Sequence, residues 1–398
     1  MNLIKSWRWF GDNDPVDLHM LKQQGIEEVV TALHQIPNGE VWPVSDIKKT
    51  KTKIEKAGLK WSVVESLPVT EAIKTASQLR IRHIENYKIS LRNLAKCGIR
   101  TVVYNFMPVL DWARTNLNYQ IPGQGESMLF DYPTFAAFDI FILKRPGAEN
   151  YYSPEIRNEA NRLFMKMSAS DAEKLAHNII VVTQGFIDGV IDPTIEDYKK
   201  EFLRHLNRYS EIDDKILREN LAYFLNEIIP VAEEFDINLA IHPDDPPFPV
   251  LGLPRIFSNT EDMEWLKKTN PSIRNGIAFC VGSFSARKDN DVFEMASRFS
   301  QRIHFAHLRN TIVLDDGSFY ESGHSKGRVD MKEIIRVLHH EMKIRRNAGC
   351  ENFRIPMRPD HGLKTGDDYK IETNPGYPIY GRLEGLKEIM KIEEILND

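Results

Sequence analysis

Eight short apolar runs rich in β-branched residues alternate along this chain with stretches of helical periodicity. Runs of this kind, bounded by turn residues, are typical of buried strands. They lie at residues 6–11, 27–33, 60–66, 99–107, 237–244, 276–283, 302–310 and 352–362. The alternation predicts an α/β chain folded as a (β/α)8 TIM barrel with parallel strands. An open doubly wound sheet is disfavoured because no Gly-rich phosphate loop follows the first run.

Helical patterns fill the gaps between these runs. The second pattern begins at Ser45, a good N-cap residue, and ends just before Gly58, a common helix terminator. The patterns cover residues 14–24, 45–57, 71–96, 214–234, 260–269, 290–301, 330–348 and 381–396. Helices at these places provide the crossovers that join parallel strands.

The connection between the fourth and fifth runs is far longer than the others. It covers residues 111–212 and contains helix-like pieces such as SASDAEKLAHNIIVV and TIEDYKKEFLRHLNRYS. Its apolar content is sparse for a separately folding domain. We therefore expect one barrel domain over residues 1–398, with residues 111–212 as a helical insertion above the barrel mouth. The insertion is expected to serve as a lid or as an oligomer contact.

Composition and charge exclude several classes of protein. The net charge of -5 gives no global basic field that would attract nucleic acid. No run approaches the roughly 20 apolar residues that are needed to span a bilayer. The opening residues lack the apolar region of a secretory signal. The three cysteines, Cys97, Cys280 and Cys350, are scattered and odd in number. They predict a reducing cytoplasm rather than a disulfide framework.

Each of the last four runs carries, near its carboxyl end, a residue that can bind a metal ion. These residues are His242 in AIHPDD, Cys280 in AFCVGS, His307 in FAHLRN and Asp360 in MRPDHG. The active site of such a barrel lies at the carboxyl ends of the strands, where these side chains would meet. One histidine alone is more often a core or surface residue, but four ligands on consecutive strands favour a metal site. Two imidazoles, a thiolate and a carboxylate suit zinc, iron, manganese or cobalt.

Seven longer motifs resemble the mannonate dehydratase family. They are RWFGDNDPVDL, LHQIPNGEVW, WSVVESLPV, YNFMPVLDWARTNL, HPDDPPFPVLGLPRI, FCVGSFSARKDND and PMRPDHG followed by TNPGYPIYGRLEGL. These enzymes of hexuronate breakdown convert D-mannonate to 2-keto-3-deoxy-D-gluconate. The resemblance covers essentially the whole chain. It implies a xylose-isomerase-like barrel, an aldonate substrate and a divalent ion, Mn2+ or Fe2+, held by His242, Cys280, His307 and Asp360. We also expect a homo-oligomer, a dimer or larger.

The resemblance also implies that His361 and Tyr377 are the acid–base residues of the reaction. Each has a simpler interpretation beside it. His361 directly follows Asp360 and could orient that ligand instead of carrying a proton. Tyr377 lies in the Gly/Pro-rich turn NPGY, where tyrosines often only pack. The sequence does not decide which of the two residues is the acid and which is the base.

Five further residues are candidates for substrate binding. Arg309 and Arg287 could grip a carboxylate with two hydrogen bonds, or form structural ion pairs. His34, Asn38 and Asn105 stand near the ends of earlier strands and could bind sugar hydroxyls. We expect His324, in ESGHSKG, to lie on a solvated loop after the seventh strand.

Three alternative functions would each need a different kind of site. A metal-dependent sugar isomerase on the same barrel usually needs a site rich in carboxylates with two ions, whereas these strand ends offer a cysteine and few acids, Glu65 among them. A metal-dependent endonuclease needs a basic groove. A sugar-binding module has no need of a thiolate–imidazole metal site.

Overall fold

The computed structural model describes residues 1–184 and 195–397. Within those residues eight parallel strands close into a barrel, and neighbours along the chain are neighbours around the barrel. The barrel strands are β1 (Ile4–Arg8), β2 (Glu28–Thr31), β3 (Lys60–Glu65), β4 (Thr101–Tyr104), β7 (Asn238–Ile241), β8 (Asn275–Cys280), β9 (Ile303–His307) and β12 (Pro356–Arg358). Each of the eight predicted runs overlaps one of these strands. The predicted (β/α)8 barrel is confirmed.

Four more strands form a separate antiparallel sheet. They are β5 (Asn116–Ile121), β6 (Gly125–Phe130), β10 (Asn310–Val313) and β11 (Phe319–Ser322), in the order β10-β11-β6-β5. β5 and β6 belong to the long connection after β4, and β10 and β11 follow β9. In the pairing of β11 with β6, Phe319 stands opposite Phe130. The sheet therefore joins the connection after β4, the fourth barrel strand, to the connection after β9, the seventh.

Helices surround the barrel and fill most of the long connection. Around the barrel they are α1 (Leu18–Gln23), α2 (Val44–Lys56), α3 (Glu71–Lys74), α4 (Arg80–Lys96), α9 (Asp214–Glu234), α10 (Thr260–Thr269), α11 (Val281–Ser285), α12 (Val292–Phe299), α13 (Met331–Asn347) and α14 (Ile379–Asn397). In the long connection they are α5 (Tyr132–Ala137), α6 (Pro154–Phe164), α7 (Ala169–His177) and α8 (Tyr198–Asn207). Short 3-10 or π turns lie at Phe138–Ile142, Ala148–Tyr151, Asn178–Val182, Ser300–Arg302 and Gly366–Lys370. Each predicted helical pattern overlaps a helix, although the pattern at 71–96 is divided into α3 and α4.

The segment 111–212 differs from the helical insertion that the sequence predicts, because it opens with the hairpin of β5 and β6. The hairpin escapes sequence analysis because β5 is mostly polar and alternates between exposed and half-buried residues. Gly125 at the hairpin turn has φ of 113°, and a Cβ there would collide with the backbone oxygen of Lys364. Residues 185–194 of the predicted insertion lie outside the described residues. The role of the segment as a lid or an interface stays a prediction.

The barrel interior is built in layers that place the functional side chains. One buried apolar layer consists of Val30, Val63, Val103, Ala240, Ala278 and Phe305. Side chains on a strand return to the same face every second residue. Two positions further along these six strands stand Ala32, Glu65, Asn105, His242, Cys280 and His307. From the two remaining strands, Arg8 and Arg358 line the same cavity as Glu65, Asn105 and His242. A polar and charged layer therefore lies directly above an apolar floor, at the carboxyl ends of the strands. None of the helices in the described ranges combines the length and apolarity needed to cross a bilayer.

Candidate active site

The four predicted metal ligands lie together at the mouth of the barrel. One ligand atom from each of His242, Cys280 and His307 lies within 4.8 Å of the others. The Oδ2 atom of Asp360 lies 3.9 Å from Cys280 Sγ and 3.6 Å from His307 Nδ1. Cys280 and His307 stand side by side because their strands pair in that register. The structure thus brings two imidazoles, a sulfur and a carboxylate to one point.

Neighbouring groups hold both histidine rings in place. The Nδ1 atom of His242 lies 2.7 Å from the backbone oxygen of Pro243, which leaves Nε2 to face the cluster. The Nε2 atom of His307 lies 3.1 Å from Glu65 Oε1 and 3.1 Å from Arg358 Nε. His307 Nδ1 is buried and has no hydrogen-bond partner among the described residues. Metal-ligating histidines are typically oriented by such partners on the second ring nitrogen. The residues present therefore fit a divalent ion.

The electrostatics favour a thiolate at Cys280. Burial acts to raise the pKa of this thiol, but the charge of Arg309 and a hydrogen bond with His242 bring the pKa well below its ordinary value. The backbone N–H and the hydroxyl of Ser283 also donate to the sulfur, at 3.4 and 3.3 Å. Burial acts to lower the pKa of His242, but its hydrogen bond with Cys280 raises that pKa to about 9. The thiolate is the form of cysteine that binds metals.

His361 and Tyr377 lie beside this cluster and line the same cavity. Their ring centroids are 5.1 Å apart in an edge-to-face arrangement. Trp112 packs 5.6 Å from the ring of His361, and Phe10 packs 4.9 Å from the ring of Tyr377. Burial raises the pKa of Tyr377 and the charge of Arg358 opposes it, with a net value of about 12. Tyr377 therefore holds its proton at neutral pH.

A buried network of charges supports His361. Its Nδ1 atom lies 2.8 Å from Arg309 Nη1 and 3.2 Å from Glu321 Oε1. Glu321 also accepts a hydrogen bond from Arg114, at 2.7 Å, and both arginines pair with Asp245. Arg114 precedes β5 and Glu321 belongs to β11. The connections after β4 and after β9 therefore place these two side chains at the barrel mouth.

The candidate substrate-binding residues occupy different places. Arg309 and Asn105 line the cavity that contains the metal ligands, and Asn105 donates to Asp111 at 3.0 Å. His34 and Asn38 line the two adjoining clefts. Arg287 pairs with Asp289 at 2.7 Å and is not among the residues that line the cavity.

One prediction about the surrounding loops is wrong. His324 was expected on a solvated loop, but its side chain is buried. Its Nε2 atom lies 2.8 Å from the backbone oxygen of Pro359. This contact joins the loop after β11 to the turn that carries Asp360, and it takes His324 out of solvent.

Sequence analysis missed two residues of the polar layer and did not place a third. Arg8 and Arg358 were not singled out, and Glu65 was noted only as an available carboxylate. All three line the cavity. Counting two residues on from Val63 of the apolar floor would have found Glu65, whereas β1 and β12 contribute no residue to that floor and give no such signal for Arg8 and Arg358. Glu321 and Arg114 leave no comparable signal, because they reach the site through an antiparallel sheet between distant segments.

The barrel and its cluster define a class of protein, the metal-dependent enzymes built on a (β/α)8 barrel. Comparison with known proteins adds the family. Residues 1–398 match the model of the family described as D-mannonate dehydratase (UxuA), and the chain belongs to this family. It is therefore a hydro-lyase, and the sugar isomerase alternative has no better support.

Individual relatives agree with this assignment. A mannonate dehydratase of Marinomonas sp. (strain MWYL1) is 47% identical over 389 residues, 98% of this chain and 97% of the relative. One from Chromohalobacter salexigens is 46% identical over 390 residues, with the same coverage. The crystal structure of mannonate dehydratase from Streptococcus suis serotype2 is 31% identical, has a TM-score of 0.74, and covers 99% of this chain and 93% of its own. A D-tagatose 3-epimerase-like protein, 11% identical with a TM-score of 0.50, covers 99% of this chain and 98% of its own and shares only the fold.

Proposed function

We propose that this chain dehydrates D-mannonate to 2-keto-3-deoxy-D-gluconate with one divalent ion, Mn2+ or Fe2+. His242, Cys280, His307 and Asp360 would hold the ion. The observation that carries the proposal is the cluster of His242, Cys280 and His307, with Asp360 beside the last two. The buried Nδ1 atom of His307 has no hydrogen-bond partner among the described residues. A mixed set of imidazole, thiolate and carboxylate ligands suits a transition metal better than Mg2+ or Ca2+.

The reaction removes the proton at C2 of the aldonate and expels the hydroxyl group at C3. The C2 proton is weakly acidic because it lies beside an ionised carboxylate. A bound divalent ion supplies Lewis-acid stabilisation of the negative charge that develops at that carboxylate. The remaining chemistry is proton transfer, which the side chains of this chain must provide.

Tyr377 and His361 are the side chains that we assign to these two transfers. Tyr377, whose pKa is raised to about 12, keeps its proton and suits protonation of the departing hydroxyl. His361 takes the other role, removal of the C2 proton. Its Nδ1 atom lies 2.8 Å from Arg309 Nη1 and 3.2 Å from Glu321 Oε1, and these contacts fix the ring beside the cavity. The two rings are 5.1 Å apart, close enough to act on adjacent carbon atoms of one substrate.

Three further residues complete the proposed site. Asn105 lines the cavity and would bind a sugar hydroxyl. Arg309 would position its neighbours rather than grip the substrate, since it already pairs with Asp245, Glu321 and Asp360. Arg287, His34 and Asn38 lie outside this cavity, and for them a role in binding the far end of the substrate stays a proposal.

We also propose a homo-oligomer, a dimer or larger, in the cytoplasm. Leu79, Ile81 and Tyr223, on or beside the neighbouring helices α4 and α9, are 50%, 67% and 41% exposed. Exposed apolar side chains that lie close together favour a protein contact. Light scattering on the metal-loaded protein tests the assembly, and a monomer at all concentrations would contradict it.

The cytoplasm is proposed because a reducing compartment would keep the Cys280 thiolate from oxidation.

The proposed function is tested by an assay of the purified protein. The chain is prepared anaerobically with reductant and supplied with D-mannonate and Mn2+, Fe2+, Zn2+ or EDTA, and the 2-keto-3-deoxy product is measured. We expect product that depends on metal, that EDTA abolishes, and that is largest with Mn2+ or Fe2+. Folded, metal-loaded protein that yields no product with any ion would contradict the proposal. Parallel reactions with D-xylose test the isomerase alternative.

A further inference from the structure

Three buried arginines, Arg8, Arg309 and Arg358, line the cavity of the metal-ligand cluster, and their surroundings differ. A fourth, Arg114, shares the carboxylate partners of Arg309. Arg309 donates to Glu321 at 2.8 Å and Ser283 at 2.8 Å, and it pairs with Asp245. Arg358 donates to Glu65 at 3.0 Å and pairs with Asp360. Arg114 pairs with Asp245 and Glu321, each at 2.7 Å. The guanidinium groups of Arg309, Arg358 and Arg114 are thus each already bound to two carboxylates of the protein.

Arg8 is the exception. Its side chain is 5% exposed, and its Nη1 atom is buried without a hydrogen-bond partner among the described residues. A carboxylate oxygen of Glu65 lies 3.8 Å away, which is beyond hydrogen-bond distance. Glu65 is moreover already paired with Arg358 at 3.0 Å. The positive charge of Arg8 is therefore buried without a carboxylate of its own.

The position of Arg8 places this charge at the reacting end of the cavity. Arg8 lines the cavity together with His242, Asp360 and Tyr377. Its guanidinium carbon lies 5.0 Å from the centroid of the Phe10 ring, and the same ring packs 4.9 Å from Tyr377. Arg8 and Tyr377 thus share one aromatic neighbour beside the metal ligands.

A buried cation with free donor capacity is stable only when an anion completes its environment. An aldonate carries one formal charge, the carboxylate at C1, and all its other polar groups are neutral hydroxyls. Guanidinium and carboxylate match in geometry and form short charge-assisted hydrogen bonds. The carboxylate is therefore the part of the substrate that fits Arg8 best.

We propose that Arg8 is the residue that binds the substrate carboxylate and so makes the site select a sugar acid over the neutral lactone or polyol of the same carbon chain. The inference rests on the proposed function, because it takes the substrate to be an aldonate. It assigns to Arg8 the role that the sequence suggested for Arg309 and Arg287.

The test compares Arg8→Met, which removes the charge, with Arg8→Lys, which keeps the charge but loses the planar fork. We expect Arg8→Met to raise KM for D-mannonate by about 10- to 100-fold, in line with loss of a charge-assisted hydrogen bond, and to change kcat much less. Arg8→Lys should lie between Arg8→Met and wild type. The matched control is Arg336→Met on the exposed face of α13, where Arg336 pairs with Glu333, and it should keep the wild-type KM.

A binding measurement separates this role from turnover. In the Tyr377→Phe background, calorimetry is used to titrate D-mannonate, D-mannono-1,4-lactone and D-mannitol into the metal-loaded protein. Arg8→Met should weaken binding of D-mannonate at least about tenfold, a loss of 1.4 kcal/mol or more. It should leave the affinity for the two neutral ligands, and the metal content, at the values of the background protein.

Several outcomes would overturn the inference. One is a wild-type KM for D-mannonate in Arg8→Met, and another is an equal loss of affinity for the acid and for its neutral analogues. If Arg8→Met fails to fold by circular dichroism, Arg8→Lys decides, and a wild-type KM in that variant overturns the role. Wild-type protein that binds D-mannonate through Arg8 without dehydrating it contradicts the proposed function and supports the subsite.

Discussion

The two halves of the barrel contribute different kinds of side chain to the mouth. The last four strands supply His242, Cys280, His307 and Arg358 to the polar layer, and the turn after them adds Asp360. The ligand atoms of His242, Cys280 and His307 lie within 4.8 Å of one another, and Asp360 Oδ2 lies 3.6 Å from His307 Nδ1. His242 is also oriented by a backbone oxygen and His307 by a carboxylate. This half is organised before any substrate arrives.

The first four strands place Arg8, Ala32, Glu65 and Asn105 in the same layer. Glu65 reaches across the barrel to orient His307, while Arg8 and Asn105 face the cavity. Ala32, the smallest side chain of the layer, also lines one of the adjoining clefts. The comparison teaches that β7, β8, β9 and β12, with the turn after β12, carry the proposed metal ligands and form a metal-binding half. The strands β1 to β4 orient one of these ligands, His307, and line the cavity beside it.

Cys280→Ser should have the largest effect, because it breaks the metal-binding half. A serine hydroxyl is not a thiolate and is a poor partner for a soft or borderline ion. We expect metal content after dialysis to fall sharply and kcat/KM to fall by more than about a thousandfold, since a bound ion contributes several kcal/mol. Metal analysis and steady-state kinetics measure both. Cys350→Ser, at an exposed position, is the control. Full metal content in Cys280→Ser would show that sulfur is not a ligand.

Tyr377→Phe should have the next largest effect, and it leaves the metal-binding half intact. Loss of a positioned proton donor lowers turnover by about a hundredfold to ten-thousandfold. We expect kcat to fall within that range while metal content stays at the wild-type level. The control is Tyr380→Phe, three residues further on and 46% exposed. Turnover near wild type would remove Tyr377 from the reaction.

The metal-binding half could be predicted from sequence because its residue types are informative. Histidine and cysteine are uncommon, and finding one of them or an aspartate at each of four consecutive strand ends is hard to explain by packing. The barrel itself followed from periodicity, since parallel strands buried on both faces give continuous apolar runs. These two signals were enough to place His242, Cys280 and His307 in one cluster.

The first four barrel strands gave weaker signals in the sequence. Arg8 and Glu65 belong to the commonest charged types, and on a strand end either could as well be a surface residue. Only the three-dimensional structure shows that both side chains line the cavity. Glu321 and Arg114 could not be predicted, since their place depends on the pairing of β6 with β11, a contact between segments almost two hundred residues apart. The resemblance to a family gave His361 and Tyr377, which strand ends alone do not single out.

Glu65→Gln should have an intermediate effect and sharpens the contrast between the halves. When Nδ1 of His307 binds the ion, Nε2 carries the proton and donates a hydrogen bond to the Glu65 carboxylate. Loss of such a partner weakens metal affinity or activity by about 10- to 100-fold. Competition of the protein with a coloured chelator measures the affinity. Glu55→Gln, on the exposed face of α2, is the control. Unchanged metal affinity would confine the first half to substrate contacts.

Asn105→Ala should have the smallest effect, because Asn105 offers a neutral hydrogen bond to a substrate hydroxyl. Its Nδ2 atom now donates to Asp111 at 3.0 Å, so part of its hydrogen-bonding capacity is already used. A neutral hydrogen bond contributes about 1 kcal/mol, so KM for D-mannonate should rise about fivefold with kcat and metal content little changed. Asn118→Ala, on the exposed strand β5, provides the matched control. A loss of metal in Asn105→Ala would mean that the first half of the barrel supports the ion as well as the substrate, and the division between the halves would then fail at β4.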